Sequence, residues 1–299
     1  MELRHLRYFV AVAEELNFTR AAVRLRTAQP SLSQQIRQLE EELGVTLLDR
    51  NRHRVALTDA GRVFLQQAKD ILSRVDHAKR LARQAADGFA GELAVGTFAS
   101  ADVRVLPVLR SLVAERMPEL RLILHSRYAV EPVSGLRTGK LDVAFMRQPE
   151  DTEGLEVIEL VREQVVIALP SHHPLARRKK IPIKSLEDMP CIAMERVISP
   201  PLYDAVAALF RKARIRTHDV SSADNILGHL QLVREGLGFA VLPESLKELV
   251  PSGVTVRPLD CEPVPTVSIV LAYRHGNPSR LVREFVNLVR RTFTPPARG

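Results

Sequence analysis

Ser31, Ser33, Gln34, Gln35 and Arg37 lie off the apolar positions Leu32, Ile36, Leu39 and Leu43, which recur at helical spacing. Hydroxyls, amides and a guanidinium on the open side of a helix are groups that bond base edges and phosphate oxygens in duplex DNA. A second set, Arg50, Arg52 and Arg54, alternates just ahead of Val55-Ala56-Leu57. That reads as the tip of a two-stranded wing gripping a phosphate backbone. Between Leu16 and Leu39 there are four arginines and no acid. An ordinary helical pair with a solvated basic face would show the same pattern.

Other residues suit small anions. Thr97-Phe98-Ala99-Ser100-Ala101-Asp102 reads as a strand-to-helix turn, where the hydroxyls and N–H groups of Thr97 and Ser100 can hold a carboxylate or simply cap a helix. Arg147 follows a strand in Phe145-Met146-Arg147-Gln148-Pro149. It is placed either to pair bidentately with an acid or to lie in a salt bridge between two lobes. Ser199, ahead of Pro200-Pro201-Leu202-Tyr203, and Asn225, ahead of Ile226, open two further helices.

Leu3 to Leu16 predicts a helix with Leu6, Phe9, Val10, Ala13 and Leu16 on one side. Phe18 to Leu25 predicts a short helix with Thr19 as N-cap and Phe18 stapled onto Val23. Arg26-Thr27-Ala28 is a tight connection, and Gln29-Pro30 opens the next helix, where Pro30 loses nothing by lacking an N–H. Two helices across so short a turn predict a helix-turn-helix whose second helix enters the major groove, with Thr19, Arg20, Gln29, Pro30 and Ser31 near the nucleic acid. Thr58 caps a long helix to about Gly88, and its later apolar residues Ile71, Val75, Ala78 and Ala82 alternate by four and three, as in paired helices. Asp87 to Gly91 reads as a hinge.

From Glu92 the period changes to strands alternating with helices, which predicts a parallel α/β sheet. Strands are expected at 93–96, 120–124, 141–145, 157–160, 165–169, 192–194, 239–243, 254–259 and 265–273. Helices are expected at 102–116, 131–139, 201–214, 223–236 and 278–293, with a short one at 244–249. The doubled strand at 157–169 is placed to carry the chain into a second lobe. Arg177-Arg178-Lys179-Lys180 reads as a solvated surface turn, with contact to DNA as the alternative.

Hydrophobic residues make up 45% of the 299 and charged residues 26%, a globular balance. The net charge is +8; residues 1–90 carry 15 Lys+Arg against 11 Asp+Glu. No apolar run approaches the roughly 20 residues that span a bilayer, and Glu2 and Arg4 interrupt any signal core, so a cytoplasmic protein without a membrane partner is expected. Cys191 and Cys261 make no disulfide framework and read as buried thiols rather than a redox pair. Ser100 with Asp102 and a remote histidine lacks a nucleophile elbow, and His172-His173 lacks further ligands. No catalytic residue, metal or cofactor is therefore expected.

The strongest signal is a resemblance. Leu6, Tyr8-Phe9, Phe18-Thr19-Arg20-Ala21-Ala22, Leu25, Gln29-Pro30-Ser31-Leu32-Ser33, Gln35-Ile36, Leu39-Glu40, Leu43-Gly44, Leu47-Leu48, Arg50 and Leu57-Thr58-Asp59-Ala60-Gly61 stand in register with the N-terminal domain of LysR-type transcriptional regulators. Gly139 to Ala144, Leu169-Pro170 with His173-Pro174-Leu175, and Val233 to Gly238 leading into Leu242-Pro243 resemble the LysR-type effector domain in the same order. The resemblance implies a winged helix-turn-helix over 1–58 and a dimerisation helix with hinge over 59–91. A two-lobed, periplasmic-binding-protein-like α/β domain follows, with lobe I at 92–162 and 268–299 and lobe II at 163–267. It implies a homodimer or homotetramer on an interrupted palindrome of double-stranded DNA, in communication with RNA polymerase and activating a catabolic operon. An effector cleft would be lined by Thr97, Phe98, Ser100, Ala129, Arg147, Ser199, Pro201, Tyr203, Asn225 and Ile226. Met1 to Ala13 and Gly139 to Pro149 are similar to regulators of benzoate, muconate or phenylpropionate breakdown. Ala129 departs from that branch, where a threonine can face the effector. A small organic acid, aromatic by this likeness, is expected; a non-aromatic metabolite or redox state is the alternative.

Overall fold

A computed structural model describes residues 1–50, 55–87, 91–126, 131–223, 225–277 and 279–293, with side chains at all of these except 83–87 and 219–222. The chain divides into two compact units, Met1–Arg83 with Thr138–Lys140, and Gln84–Arg137 with Leu141–Gly299.

The first unit runs α1 (Leu3–Glu15), α2 (Phe18–Leu25), α3 (Gln29–Leu43), β1 (Leu48–Arg50), β2 (Val55–Leu57) and α4 (Asp59–Asp87). Leu6, Phe9, Val12, Leu32, Ile36 and Leu39 are all but fully buried and form one core with Ala68 of α4. Burying each of the larger side chains contributes about 1.5–3 kcal/mol. The turn between α2 and α3 closes on Arg26 in the left-handed region (φ 53°), with Thr27 N–H on the Ala22 carbonyl at 3.0 Å. Asn17, not Thr19, caps α2: its Oδ1 accepts from Arg20 N–H at 3.0 Å. Left-handed Leu16 ends α1 and sets the cap of the new helix two residues earlier than expected. The expected staple is absent as well, since Val23 is 75% exposed while Phe18 packs on the core.

Thr58 caps α4 as expected, its Oγ1 accepting from Gly61 N–H at 2.9 Å. Gly61 is required there, because a Cβ would stand 2.0 Å from the Leu47 carbonyl oxygen. Strands β1 and β2 pair antiparallel, Leu48 opposite Leu57 and Arg50 opposite Val55. The wing tip with Arg52 and Arg54 lies outside the described residues.

The second unit begins with β3 (Gly91–Thr97), α5 (Ala99–Arg104), α6 (Leu106–Arg116), β4 (Leu120–Ser126), α7 (Pro132–Thr138), β5 (Val143–Met146) and β6 (Leu155–Pro170). It continues with β7 (Ile181–Pro182), β8 (Pro190–Ala193), α8 (Pro200–Ala213), β9 (His218–Ser222), α9 (Ile226–Arg234), β10 (Ala240–Pro243), β11 (Val254–Asp260), β12 (Thr266–Arg274) and α10 (Arg280–Phe293). The expected helix at 102–116 is two, breaking at Val105 beside Pro107. The helix expected from 223 starts at Ile226, and β9 had no sequence signal strong enough to be read.

The sheet, expected to be parallel, is mixed. β3 runs parallel to β4 and β5, but β12 runs antiparallel to both β5 and β6. The two strands expected at 157–160 and 165–169 are one 16-residue strand, β6. Its first part pairs with β12, Val267 opposite Glu163; its last residues pair with β10 and β11, Leu242 opposite Val166 and Val256 opposite Ala168. One lobe packs Leu93, Val95, Leu109, Phe145, Ile269 and Phe285. The other holds two cores, around Ile167, Leu186 and Phe239 and around Ala168, Leu230 and Val233.

Candidate nucleic-acid interface and ligand cleft

Packing of Leu32, Ile36 and Leu39 inward leaves the opposite side of α3 open. Gln29, Pro30, Ser31, Gln34 and Arg37 are exposed and Ser33 is half-buried. Gln35, which also lies off the stripe, is drawn inward: its Oε1 meets buried His5 Nε2 at 3.2 Å and its amide donates to Gln38 at 2.9 Å. At the start of α2, Thr19 and Arg20 are exposed, and the Arg20 guanidinium lies 3.5 Å from the Glu15 carboxylate. Glu14 bridges Lys69 and Arg24, each at 2.8 Å, and the Lys69 ammonium with Arg24 holds its carboxyl below the ordinary range.

Sequence reasoning missed what anchors the wing. Glu40 Oε1 accepts from the backbone N–H groups of Leu47 and Leu48 at 2.9 and 3.0 Å. Its Oε2 takes Arg50 at 2.6 Å. The same guanidinium lies 5.0 Å over the Phe18 ring, a cation–π distance. One carboxylate at the buried edge of α3 therefore sets where β1 begins. Arg50 fastens the wing to α2 and α3 instead of standing free. The only hint in the sequence is spacing: Glu40, the first of three consecutive glutamates, follows Ile36 by four residues and so falls beside the apolar face.

The dimer-type positions of α4 are open in the single chain. Ile71, Ala78 and Ala82 are exposed, Val75 is half-buried, and Val63 is 69% exposed.

In the second unit, Phe98, Ser100 and Arg147 come together. Arg147 is 9% exposed. Its Nη2 donates to Ser100 Oγ at 2.7 Å, its Nη1 to Glu163 Oε1 at 2.9 Å and to the Ser268 carbonyl at 3.3 Å. Phe98 lies 4.9 Å from the guanidinium carbon. Burial pulls Arg147 below its ordinary range, and the Glu163 charge opposes that pull. Of the two placements open to Arg147, the structure has the salt bridge, and Glu163 is the residue that sequence reasoning missed. Glu163 Oε2 also accepts from Ser245 N–H at 3.0 Å, so one carboxylate ties β6, the segment after β5 and the turn after β10. The Ser100 hydroxyl accepts from Arg147, which leaves its own hydrogen to donate.

Thr97 is not free for a ligand in this arrangement, since its Oγ1 donates to Asp102 at 2.5 Å. Ser199 is buried at the head of α8, and its side chain makes no capping bond. Pro201 is half-buried and Tyr203 38% exposed on the first turn. Asn225 caps α9 through Gly228 N–H at 2.9 Å, with Ile226 half-buried beside it. Buried His229 spans the carbonyls of Asn225 and Ala193, at 2.9 and 3.1 Å, and ties α9 to β8. A clasp joins the loop after Arg147 to the head of α8: Arg196 contacts Glu150 at 2.6 Å and Asp204 at 2.9 and 3.0 Å. Ala129 lies outside the described residues.

Cys191 is buried and Cys261 half-buried. Burial and Asp260 push the Cys261 thiol up, opposite to what a peroxide-reactive thiolate needs. Among the described residues no helix is long and apolar enough to cross a membrane.

Residues 3–62 match the bacterial regulatory helix-turn-helix protein of the lysR family, and residues 86–294 match the LysR substrate binding domain. The chain belongs to the LysR family of transcriptional regulators. This LysR regulator is 39% identical over 289 residues to the Hca operon transcriptional activator HcaR of Escherichia coli K12, covering 97% of each chain. It is 33% identical to the probable cat1 operon transcriptional activator of Acinetobacter lwoffii, covering 98% of this chain and 96% of that one. Among solved structures it superposes on CbnR, a LysR family transcriptional regulator, with a TM-score of 0.83 at 29% identity, covering 98% and 99%. Full-length CbnR in complex with its target DNA gives 0.80 at 29% identity, covering 98% and 100%. The family places the helix-turn-helix in DNA binding and the two lobes in effector binding, and the regulator is not an enzyme.

Proposed function

We propose that this LysR regulator works as a homodimer, assembling further to a homotetramer, on an interrupted palindrome of double-stranded DNA upstream of a catabolic operon. It activates that operon, in contact with RNA polymerase, when a small organic acid, aromatic by preference, enters the cleft between its lobes. The boundaries are those read from the sequence: a DNA-binding domain over 1–58, a joining helix over 59–91, and lobes at 92–162 with 268–299 and at 163–267.

The observation that carries the ligand class is the Phe98–Ser100–Arg147 cluster. It offers an apolar ring, a hydroxyl with a hydrogen to give, and a buried guanidinium whose charge is balanced inside the protein. A carboxylate held by Ser100 and the N–H groups of the turn would have its ring against Phe98. The names of the Hca and cat1 operon activators support the same direction. The exposed residues of α3 would face the major groove, with Ser33, Gln34 and Arg37 reading bases or phosphates and Arg52 and Arg54 on the backbone. Arg50 would act through the position of the wing. The apolar stripe of α4 would be the dimer seam. An effector bound more tightly by one lobe arrangement than another shifts the population of arrangements, and the Arg196 clasp is one contact such a shift would remake.

Isothermal calorimetry of the full-length protein against benzoates, phenylpropionates, cinnamates, salicylates and muconates tests this reading. Saturable binding by one class, lost in a folded Ser100→Ala variant, supports it. No heat from any acid overturns the aromatic-acid assignment.

A further inference from the structure

The net charge of this chain is not concentrated where DNA recognition is expected. Residues 174–218, all in the second lobe, hold ten Lys+Arg against four Asp+Glu, a net +6, whereas residues 1–90 carry +4. Most of that excess gathers around one core. The segments around Leu175, Ile183, Phe210, Ile215 and Cys261 pack on the cluster containing Ile181, Leu186 and Leu209. The basic side chains stand on its outer rim. Arg177, Arg178, Lys179 and Lys180 are all exposed, as are Lys184 and Arg214. Cross-links within the lobe fix these segments side by side. Arg257 Nε donates to the Arg178 carbonyl at 2.8 Å, Lys184 Nζ to the Arg214 carbonyl at 3.4 Å, and Ile181 of β7 pairs with Leu259 of β11.

We infer that this rim is a second DNA-binding surface, taking the sugar-phosphate backbone of duplex DNA outside the sites read by α3. The chemistry separates that partner from others. A protein partner is met by an apolar or aromatic centre with a polar rim, and no exposed large hydrophobic side chain lies within 174–186 or 209–218. Single strands are met by platforms of successive aromatic rings; here Phe210 packs edge-on against Phe239 at 6.3 Å, and His218 adds a single imidazole. What remains is dense, exposed positive charge without base-reading amides, the composition of a backbone contact. The inference does not depend on the effector's identity.

The test uses the full-length protein and a 60-base-pair random-sequence duplex. Lysine acetylation with and without duplex, read by mass spectrometry, is expected to show Lys179, Lys180 and Lys184 protected together. In parallel, anisotropy titrations between 50 and 200 mM salt compare the wild type with a Lys179→Glu, Lys180→Glu double variant whose melting is unchanged. Each lost phosphate contact lowers the slope of log affinity against log salt by about 0.9, so the variant's slope should be shallower by about 2. Unprotected lysines with an unchanged slope overturn the inference. So does protection by polyglutamate but not by duplex, which would make the rim a docking site for an acidic protein.

Discussion

Replacing Glu163 by Gln probes the buried ion pair at the centre of the second unit. The substitution keeps an oxygen for Ser245 N–H and changes little volume, but it removes the charge facing Arg147. The side chains of the pair are 8% and 6% exposed, and among the described residues Arg147 meets no other carboxylate. Breaking a buried pair from one side leaves an uncompensated charge and costs about 3–5 kcal/mol. In a unit of this size each kcal/mol moves the midpoint by about 2–4 °C, so its melting should fall by about 6–20 °C. The matched control is Glu159→Gln, which removes the exposed 2.9 Å bridge to Arg162 and should cost about 0–1 kcal/mol. Arg147→Met with Glu163→Gln removes both charges and should recover much of the loss, giving a coupling energy of several kcal/mol in a urea-denaturation cycle. A Glu163→Gln effect no larger than that of Glu159→Gln would refute the claim that Arg147 depends on Glu163.

Gly61→Ala drives a methyl into the Leu47 carbonyl, so the first unit should lose about 1–3 kcal/mol in thermal melting, while Gly44→Ala, which meets no atom within 4 Å but has φ 68°, reports backbone strain alone. Ala78→Glu on the exposed stripe of α4 should convert the assembly to monomers in sedimentation velocity and weaken operator binding without loss of helix content. The depressed carboxyl of Glu14 adds stability that is present above its ordinary value of 4.5 and is lost as pH falls through the lower folded value. Urea midpoints of the first unit should therefore drop more steeply below about pH 4.5 in the wild type than in Glu14→Gln.

The first unit was readable because its determinants are local: an apolar period, a short turn, Pro30 at a helix start and Thr58 at another. Where the reading slipped, two chemically equivalent caps competed. Asn17 and Thr19 both suit an N-cap, and left-handed Leu16, which no side-chain rule favours, decided for Asn17. In the second unit most strands and helices are legible, β7 and β9 excepted, but β6 reads as split at Arg162-Glu163-Gln164, since a polar triplet in an apolar run signals a break. The strand continues because Glu163 is neutralised by Arg147, 16 residues away in sequence, and pairing at that distance has no local signature. The cleft residues were legible by type and only partly by role. Ser100 and Arg147 do meet, yet Thr97 is committed to Asp102 and Asn225 caps its own helix. The clasp from Arg196 to Glu150 and Asp204 likewise joins segments that no periodicity links.

Fluorescence anisotropy of the full-length protein on a duplex spanning its own upstream region, against a scrambled duplex of equal length at 150 mM salt, shows whether α3 reads sequence. Sequence-specific regulation predicts a preference of roughly 10³-fold or more, reduced by Arg37→Ala at unchanged melting temperature. Equal affinity for both duplexes, indifferent to Arg37, would contradict a recognition role for α3 at that site.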